Sequence, residues 1–135
     1  MERKILDLFK LNGQTALIVG GNRGLGLAMA KALAEAGANI CIAARDKKEN
    51  GNAEELIRST YGVECMSSYC DVTEEASVVE TVKSTVDRFG KIDILINSAG
   101  INIRGAIEDL SLDDFNKVQQ INVTGTWLAC REVVP

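Results

Sequence analysis

The stretch "VGGNRGLG", residues 19–26, decides the fold. Ahead of it, Thr15-Ala16-Leu17-Ile18-Val19 is a short apolar run with β-branched residues, the pattern of a strand buried on both faces. Behind it, Leu27 to Ala36 are good helix formers, and Gly37 stands where a left-handed cap is expected. A glycine-rich turn from a buried strand into a helix suits an anion such as phosphate. The first N–H groups of a helix lack partners and carry the positive end of its dipole, and glycine lets the anion approach the backbone. The spacing is Gly20-x-x-x-Gly24-x-Gly26 and not G-x-G-x-x-G, so the ordinary dinucleotide fingerprint is absent. Taken alone, the stretch also reads as a plain tight turn.

Strand and helix alternate onward from there. Ala38 to Ala44 is a second apolar run, ending at Arg45-Asp46, and a polar helix is expected over Asn52 to Tyr61 with Gly62 as its stop. Val63 to Cys70 reads as a third strand closed by Asp71. Thr73 is expected to cap the next helix, in which Val78, Val79, Val82, Val86 and Phe89 recur at helical spacing up to Gly90. Ile92 to Ile96 is the fourth strand and runs into Asn97-Ser98-Ala99-Gly100. "SLDD" at 111–114 then places a capping box ahead of a last helix. Four strand–helix alternations with short connections and no repeat predict one α/β domain over residues 1–135, a doubly wound parallel sheet with helices on both faces. Ligands of such sheets bind beyond the carboxyl ends of the strands. The glycine turn, Arg45, Asp71 and the Asn97 turn all lie there, and their coincidence favours a nucleotide over a plain turn.

Composition excludes other classes. A net charge of −4 argues against nucleic acid as a partner. No stretch approaches 18 uninterrupted apolar residues and the N-terminus lacks an apolar signal core, so the expectation is a cytoplasmic protein off the membrane. Cys41, Cys65, Cys70 and Cys130 form no C-x-x-C pair, and there is no histidine, which argues against a metal site and for cysteines as small apolar filler.

With those residues in view, the sequence from about Asn12 to Pro135 resembles the short-chain dehydrogenase/reductase family. Gly20-x-x-x-Gly24-Leu25-Gly26 resembles the family's cofactor turn, Cys70-Asp71-Val72 its adenine-contacting segment, and Asn97-Ser98-Ala99-Gly100 its N-N/S-A-G signature. Val19 departs from the threonine that many members carry. The resemblance implies a Rossmann-type sheet binding a nicotinamide dinucleotide. Gly20, Asn22, Arg23, Gly24, Leu25 and Gly26 would form the phosphate turn. Asp71 and Val72 would face the adenine, and Asn97, Ala99 and Gly100 would line the nicotinamide side through their backbones. Overall similarity suggests a sugar-acid, polyol or 3-oxoacyl ketone/alcohol pair as substrate, and a homo-oligomer.

Charge selects between the two cofactors. A carboxylate after the second strand holds the 2′-hydroxyl of NAD, whereas arginine suits the 2′-phosphate of NADP. Arg45 ends that strand and Arg23 projects from the adjoining turn, so NADP(H) is the expected cofactor. NAD is the alternative: if the strand runs one residue further, Asp46 falls near the ribose.

Phe115, Val118, Asn122, Gly125 and Ala129 follow helical spacing, which puts Asn122 in an apolar stripe where its amide needs a partner. In the resembled family the asparagine of such an N-V-T-G segment opens the helix around a water of the proton relay. That makes Asn122 the catalytic candidate here; an asparagine merely satisfying a core carbonyl is the alternative. The family's serine and Tyr-x-x-x-Lys are absent: Tyr61 is followed four residues on by Cys65, and Tyr69 by Thr73. Pro135 falls in or at the end of an amphipathic helix, so the chain is expected to be the cofactor half of a longer oxidoreductase, truncated after the fourth strand and its helix. The competing expectation is a non-catalytic nucleotide-binding or assembly module that ends at Pro135.

Overall fold

The run 15–19 forms β1 (Thr15–Val19), every residue of which is buried. The computed structural model describes residues 3–135. Around β1 lie β2 (Asn39–Ala44), β3 (Cys65–Tyr69) and β4 (Ile94–Asn97) in the order β3-β2-β1-β4, all pairs parallel. Leu17 sits opposite Cys41 on one side and Leu95 on the other. The helices are α1 (Gly24–Glu35), α2 (Lys47–Tyr61), α3 (Glu75–Phe89), α4 (Leu112–Gln119) and α5 (Gly125–Val133). This is the doubly wound α/β sheet that the alternation predicts.

Side chains alternate across a strand, so each buried strand feeds two cores. Ala16, Ile18, Ile40 and Ile42 pack against Ala30 and Ala34 of α1 and Ala53 and Ile57 of α2. Leu17, Val19, Cys41 and Ala43 face the other way, against Val78 of α3 and Leu128 and Ala129 of α5. Leu17, Ile18, Ile40, Ile42 and Ile57 are fully buried, and each such side chain contributes about 1.5–3 kcal/mol by leaving water. The chain leaves β1 for β2 on one side and returns to β4 on the other. Between β1 and β4 the winding therefore reverses, and a crevice opens at the carboxyl ends of the strands.

Several boundaries differ from the sequence reading, each for a local reason. Helix α2 starts at Lys47 and not Asn52, because the Asp46 carboxylate accepts from the Lys48 and Glu49 N–H groups, both at 3.0 Å, and caps the helix. That cap overrides the helix cost of Gly51. Strand β3 is shorter than expected, and β4 runs on to Asn97. Thr73 does not cap α3: its N–H and hydroxyl both donate to Asp71, at 2.9 and 2.7 Å, and the N-cap residue is Glu74 without a side-chain bond. The capping box at Ser111 and Asp114 forms as predicted. The helix it opens is not continuous, since a π turn over Gln120–Thr124 separates α4 from α5.

Cys41, Cys65 and Cys70 are buried filler; desolvation pushes the Cys41 thiol up to about 11 and Cys65 to about 12, which keeps both as inert thiols. Cys130, expected to be buried, is exposed. Phe115 is exposed as well, because its face of α4 borders an open apolar hollow of about 360 Å³ shared with Ile103, Ile107, Leu110 and Val118. A short 3-10 turn over Ile5–Phe9 precedes the sheet and buries none of its residues. Among the described residues no helix is long and apolar enough to cross a membrane.

Candidate functional site

The four strand ends are laced together by backbone. Gly20 N–H donates to Ala43 C=O at 2.7 Å, and Cys70 N–H to Ala44 C=O at 3.0 Å. Ser98 and Ala99 N–H groups both donate to Val19 C=O, at 2.8 and 2.9 Å. They border a cleft of about 630 Å³. Gly20, Asn22, Arg23, Gly24, Leu25, Arg45, Asp71, Val72, Ala99 and Gly100 all line it, drawn from four separate turns of the chain. Asp46, Cys70, Ser98, Ile101 and Ile121 are also in its walls, with the ends of β1 and β2.

The glycines of the turn do different things. Gly20 has φ +82°, and a Cβ there would stand 2.5 Å from the Ala99 nitrogen, so a side chain would push the β1 and β4 turns apart. A Cβ on Gly26 would stand 2.0 Å from the Gly20 carbonyl oxygen; Gly26 lies behind the cleft and lets α1 close on β1. A Cβ on Gly24 would meet nothing within 4 Å. Open space therefore lies before the N-terminus of α1, a helix with no side-chain cap at Arg23 and no acidic residue in its first turn. Its N–H groups and dipole are uncompensated there, which fits the pyrophosphate of a dinucleotide.

Two side chains at the second strand end have fixed local roles. Strand β2 stops at Ala44, so Arg45 is the first residue beyond it, and the Asp46 carboxylate is engaged as the α2 cap. At the third strand end, burial raises the Asp71 carboxyl, but the two Thr73 hydrogen bonds and the charge of Arg45 outweigh it. The group titrates below its ordinary value and is ionised at neutral pH.

Asn22 turns inward. It is buried, and its Nδ2 donates to Asn50 Oδ1 at 3.1 Å. Asn50 in turn donates from Nδ2 to Ala44 C=O at 2.9 Å and Ser68 C=O at 3.2 Å. Sequence reasoning missed Asn50 because the helix was expected to start beyond it. The signal is its spacing with Ala53 and Ile57, three buried positions on one face of α2. Asn97, the last residue of β4, does not line the cleft; its Nδ2 faces Cys130 Sγ at 3.5 Å. Asn122 stands in the π turn outside the cleft walls, and its amide holds the backbone of Ile101. Tyr61 and Tyr69 are not among the lining residues, and Lys47 lies 5.5 Å above the Tyr69 ring.

Residues 14–135 match the family model described as short chain dehydrogenase. The chain belongs to the short-chain dehydrogenase family. Gluconate 5-dehydrogenase of Gluconobacter oxydans (strain 621H) is 34% identical over 127 residues, which cover 94% of this chain and 49% of that protein. Among solved structures, the Pseudomonas aeruginosa RhlG/NADP active-site complex superposes with a TM-score of 0.88 at 33% identity, over 94% of this chain and 49% of the other. NAD+-bound xylitol dehydrogenase gives 0.85 at 42% identity, over 92% and 48%. The chain spans about half the length of the curated relatives it matches. The short-chain dehydrogenases bind NAD(P), and the structural neighbours include complexes with both nucleotides.

Proposed function

We propose that this chain is the nucleotide-binding part of an NADP(H)-dependent short-chain oxidoreductase acting on a ketone/secondary alcohol pair. The observation that carries the reading is that two cations line the cleft. Arg23 and Arg45 both line it, while the neighbouring Asp46 carboxylate is drawn into capping α2. Two guanidinium groups suit a 2′-phosphate by charge and by fork geometry. The N–H groups opening α1 hold the pyrophosphate in front of Gly24, Asp71 and Val72 face the adenine, and Asn97, Ala99 and Gly100 back the nicotinamide side. Asn122 holds Ile101, the residue after Gly100, and so steadies that wall. The bound cofactor supplies or accepts hydride. The gluconate and xylitol dehydrogenases among the relatives support a sugar acid or polyol as substrate class. Leu112, Phe115, Val123 and Trp127, exposed along α4, the π turn and α5, form the face for association of copies.

A second reading, a nucleotide-binding or assembly module without catalysis, is favoured by one observation: neither tyrosine lines the cleft or is followed by a lysine four residues on. Titration calorimetry of the chain with NADP+ and NAD+ tests the nucleotide assignment. Tighter binding of NADP+ supports it, equal or tighter NAD+ binding removes the preference, and no binding of either overturns the reading. NADPH oxidation by the full-length protein with ketone panels separates enzyme from module.

A further inference from the structure

We propose that Asn50 is a positioning residue that sets the spacing of Arg23 and Arg45, and through it the discrimination between NADP and NAD. The proposal rests on the nucleotide-binding reading above. Asn50 is 2% exposed and lies in the first turns of α2, outside the cleft walls. Its amide is engaged on both sides: Nδ2 donates to the Ala44 and Ser68 carbonyls, and Oδ1 accepts from Asn22 Nδ2.

The partners matter for where they sit. Ala44 immediately precedes Arg45, and Asn22 immediately precedes Arg23. One planar amide therefore links the Ala44 carbonyl to the Asn22 side chain, joining the residues that precede the two arginines. The arginines have no such anchor of their own. Both are exposed, and neither makes an ion pair among the described residues. Their placement follows from the backbones that carry them. A phosphate shared between two cations depends on their separation, because charge-assisted hydrogen bonds weaken steeply with misalignment. The pyrophosphate and adenine are common to both nucleotides, so a general loosening of the cleft weakens NADP and NAD alike. Loss of arginine spacing weakens only the nucleotide that carries the 2′-phosphate.

Dissociation constants for NADP+ and NAD+ measured by calorimetry on wild type, Asn50→Ala, Asn22→Ala, Arg45→Gln and the Arg45→Gln/Asn50→Ala double variant test this. Asn50→Ala is expected to lower the NADP/NAD affinity ratio by about tenfold, the worth of one charge-assisted bond. In the Arg45→Gln background the same change should leave the ratio within about twofold, since the coupled partner is gone. An equal loss for both nucleotides in Asn50→Ala, or a ratio shift that persists undiminished without Arg45, overturns the proposal. If circular dichroism shows Asn50→Ala unfolded, Asn22→Ala decides. It removes the Asn22–Asn50 bond while leaving Asn50 on the Ala44 and Ser68 carbonyls, and an unchanged ratio there overturns the proposal. Failure of the underlying reading shows separately, in wild type: binding of neither nucleotide, or no preference for NADP+, removes the premise and the proposal with it.

Discussion

Asn122 and Ile101 pair twice, the Asn122 Nδ2 donating to the Ile101 carbonyl and the Ile101 N–H donating to Asn122 Oδ1, each at 2.9 Å. A side-chain amide here mimics a backbone partner and ties the π turn to the segment that follows Gly100. A Cβ on Gly100 would stand 3.3 Å from the same Oδ1, so the contact is close on both sides of the peptide. Asn122→Ala removes both bonds. Because the pair is reached by water, the expected cost is about 0.5–1.5 kcal/mol in urea unfolding, the range of a net hydrogen bond. Nucleotide affinity should fall while far-ultraviolet dichroism stays unchanged. Wild-type stability together with wild-type affinity in the variant would show that the pairing has no role.

Gly24 and Gly26 are two residues apart and should respond differently to a single methyl. Gly24→Ala meets no atom, but φ is +57°, where an L side chain costs about 1–2 kcal/mol. The variant should fold and lose affinity for either dinucleotide, because the methyl intrudes on the open space before α1. Gly26→Ala drives a methyl to 2.0 Å from the Gly20 carbonyl oxygen, so α1 must move off β1. Thermal melts should show a much larger drop for Gly26→Ala than for Gly24→Ala, and the reverse order would contradict both assignments.

Arg45→Ala should weaken NADP+ by about tenfold or more, as expected for losing a desolvated charge-assisted pair, and NAD+ little. Asp46→Ala removes the acceptor of two α2 N–H groups and should cost about 0.5–2 kcal/mol of stability. Its effect on NAD+ discriminates. A selective loss of NAD+ affinity in Asp46→Ala would show that this carboxylate serves the ribose and not only the helix.

The sheet, its two faces and most of the cleft were readable in the chain. The apolar runs around Leu17 and Ile42 are bounded by glycine or charge, so strand and turn could be separated by composition. The glycine turn, Arg45, Asp71 and Ala99-Gly100 meet because parallel strands deliver their carboxyl ends to one edge. What escaped depends on side chains meeting across the fold. Lys47 to Gly51 reads as a loop by composition, and only the Asp46 cap and the partners of Asn50 make it helix. The π turn is invisible to periodicity, since Val118, Asn122 and Gly125 keep helical spacing through it. Thr73 looked like a cap because its residue type suits one, but Asp71, two residues before it, takes both its donors.

Asp93 anchors the start of β1. Its Oδ2 accepts from the Thr15 N–H at 2.8 Å, and the Asp93 N–H donates to Thr15 C=O at 2.9 Å. The Thr15 bond holds the Asp93 carboxyl below its ordinary value against a smaller desolvation effect, with Lys91 assisting. A carboxylate lowered in the fold contributes stability that is present above its unfolded pKa and is lost as pH falls through the folded one. The stability gap between wild type and Asp93→Ala should therefore be constant at neutral pH and shrink below about pH 4. A gap that does not change with pH in urea titrations would show that the ionised carboxylate is not what Thr15 binds.

Residues 1–135 alone should bind nucleotide without turning it over. Positioned acid–base catalysis typically contributes about 10²–10⁴-fold to rate, and it needs a group that exchanges a proton near neutral pH beside the reacting carbon. The titratable side chains lining the cleft are Arg23, Arg45, Asp46, Cys70 and Asp71. Two of these are permanently cationic. Asp46 is bound to the α2 backbone, and Asp71 is held ionised by Thr73 and Arg45. Burial pushes the Cys70 thiol further above neutrality. Ketone reduction by this chain should stay near background even with the cofactor fully bound. The assay is NADPH absorbance at saturating chain with ketones, sugar acids and 3-oxoacyl thioesters. A rate proportional to protein concentration and abolished by Asn122→Ala would instead locate a working proton relay within these residues.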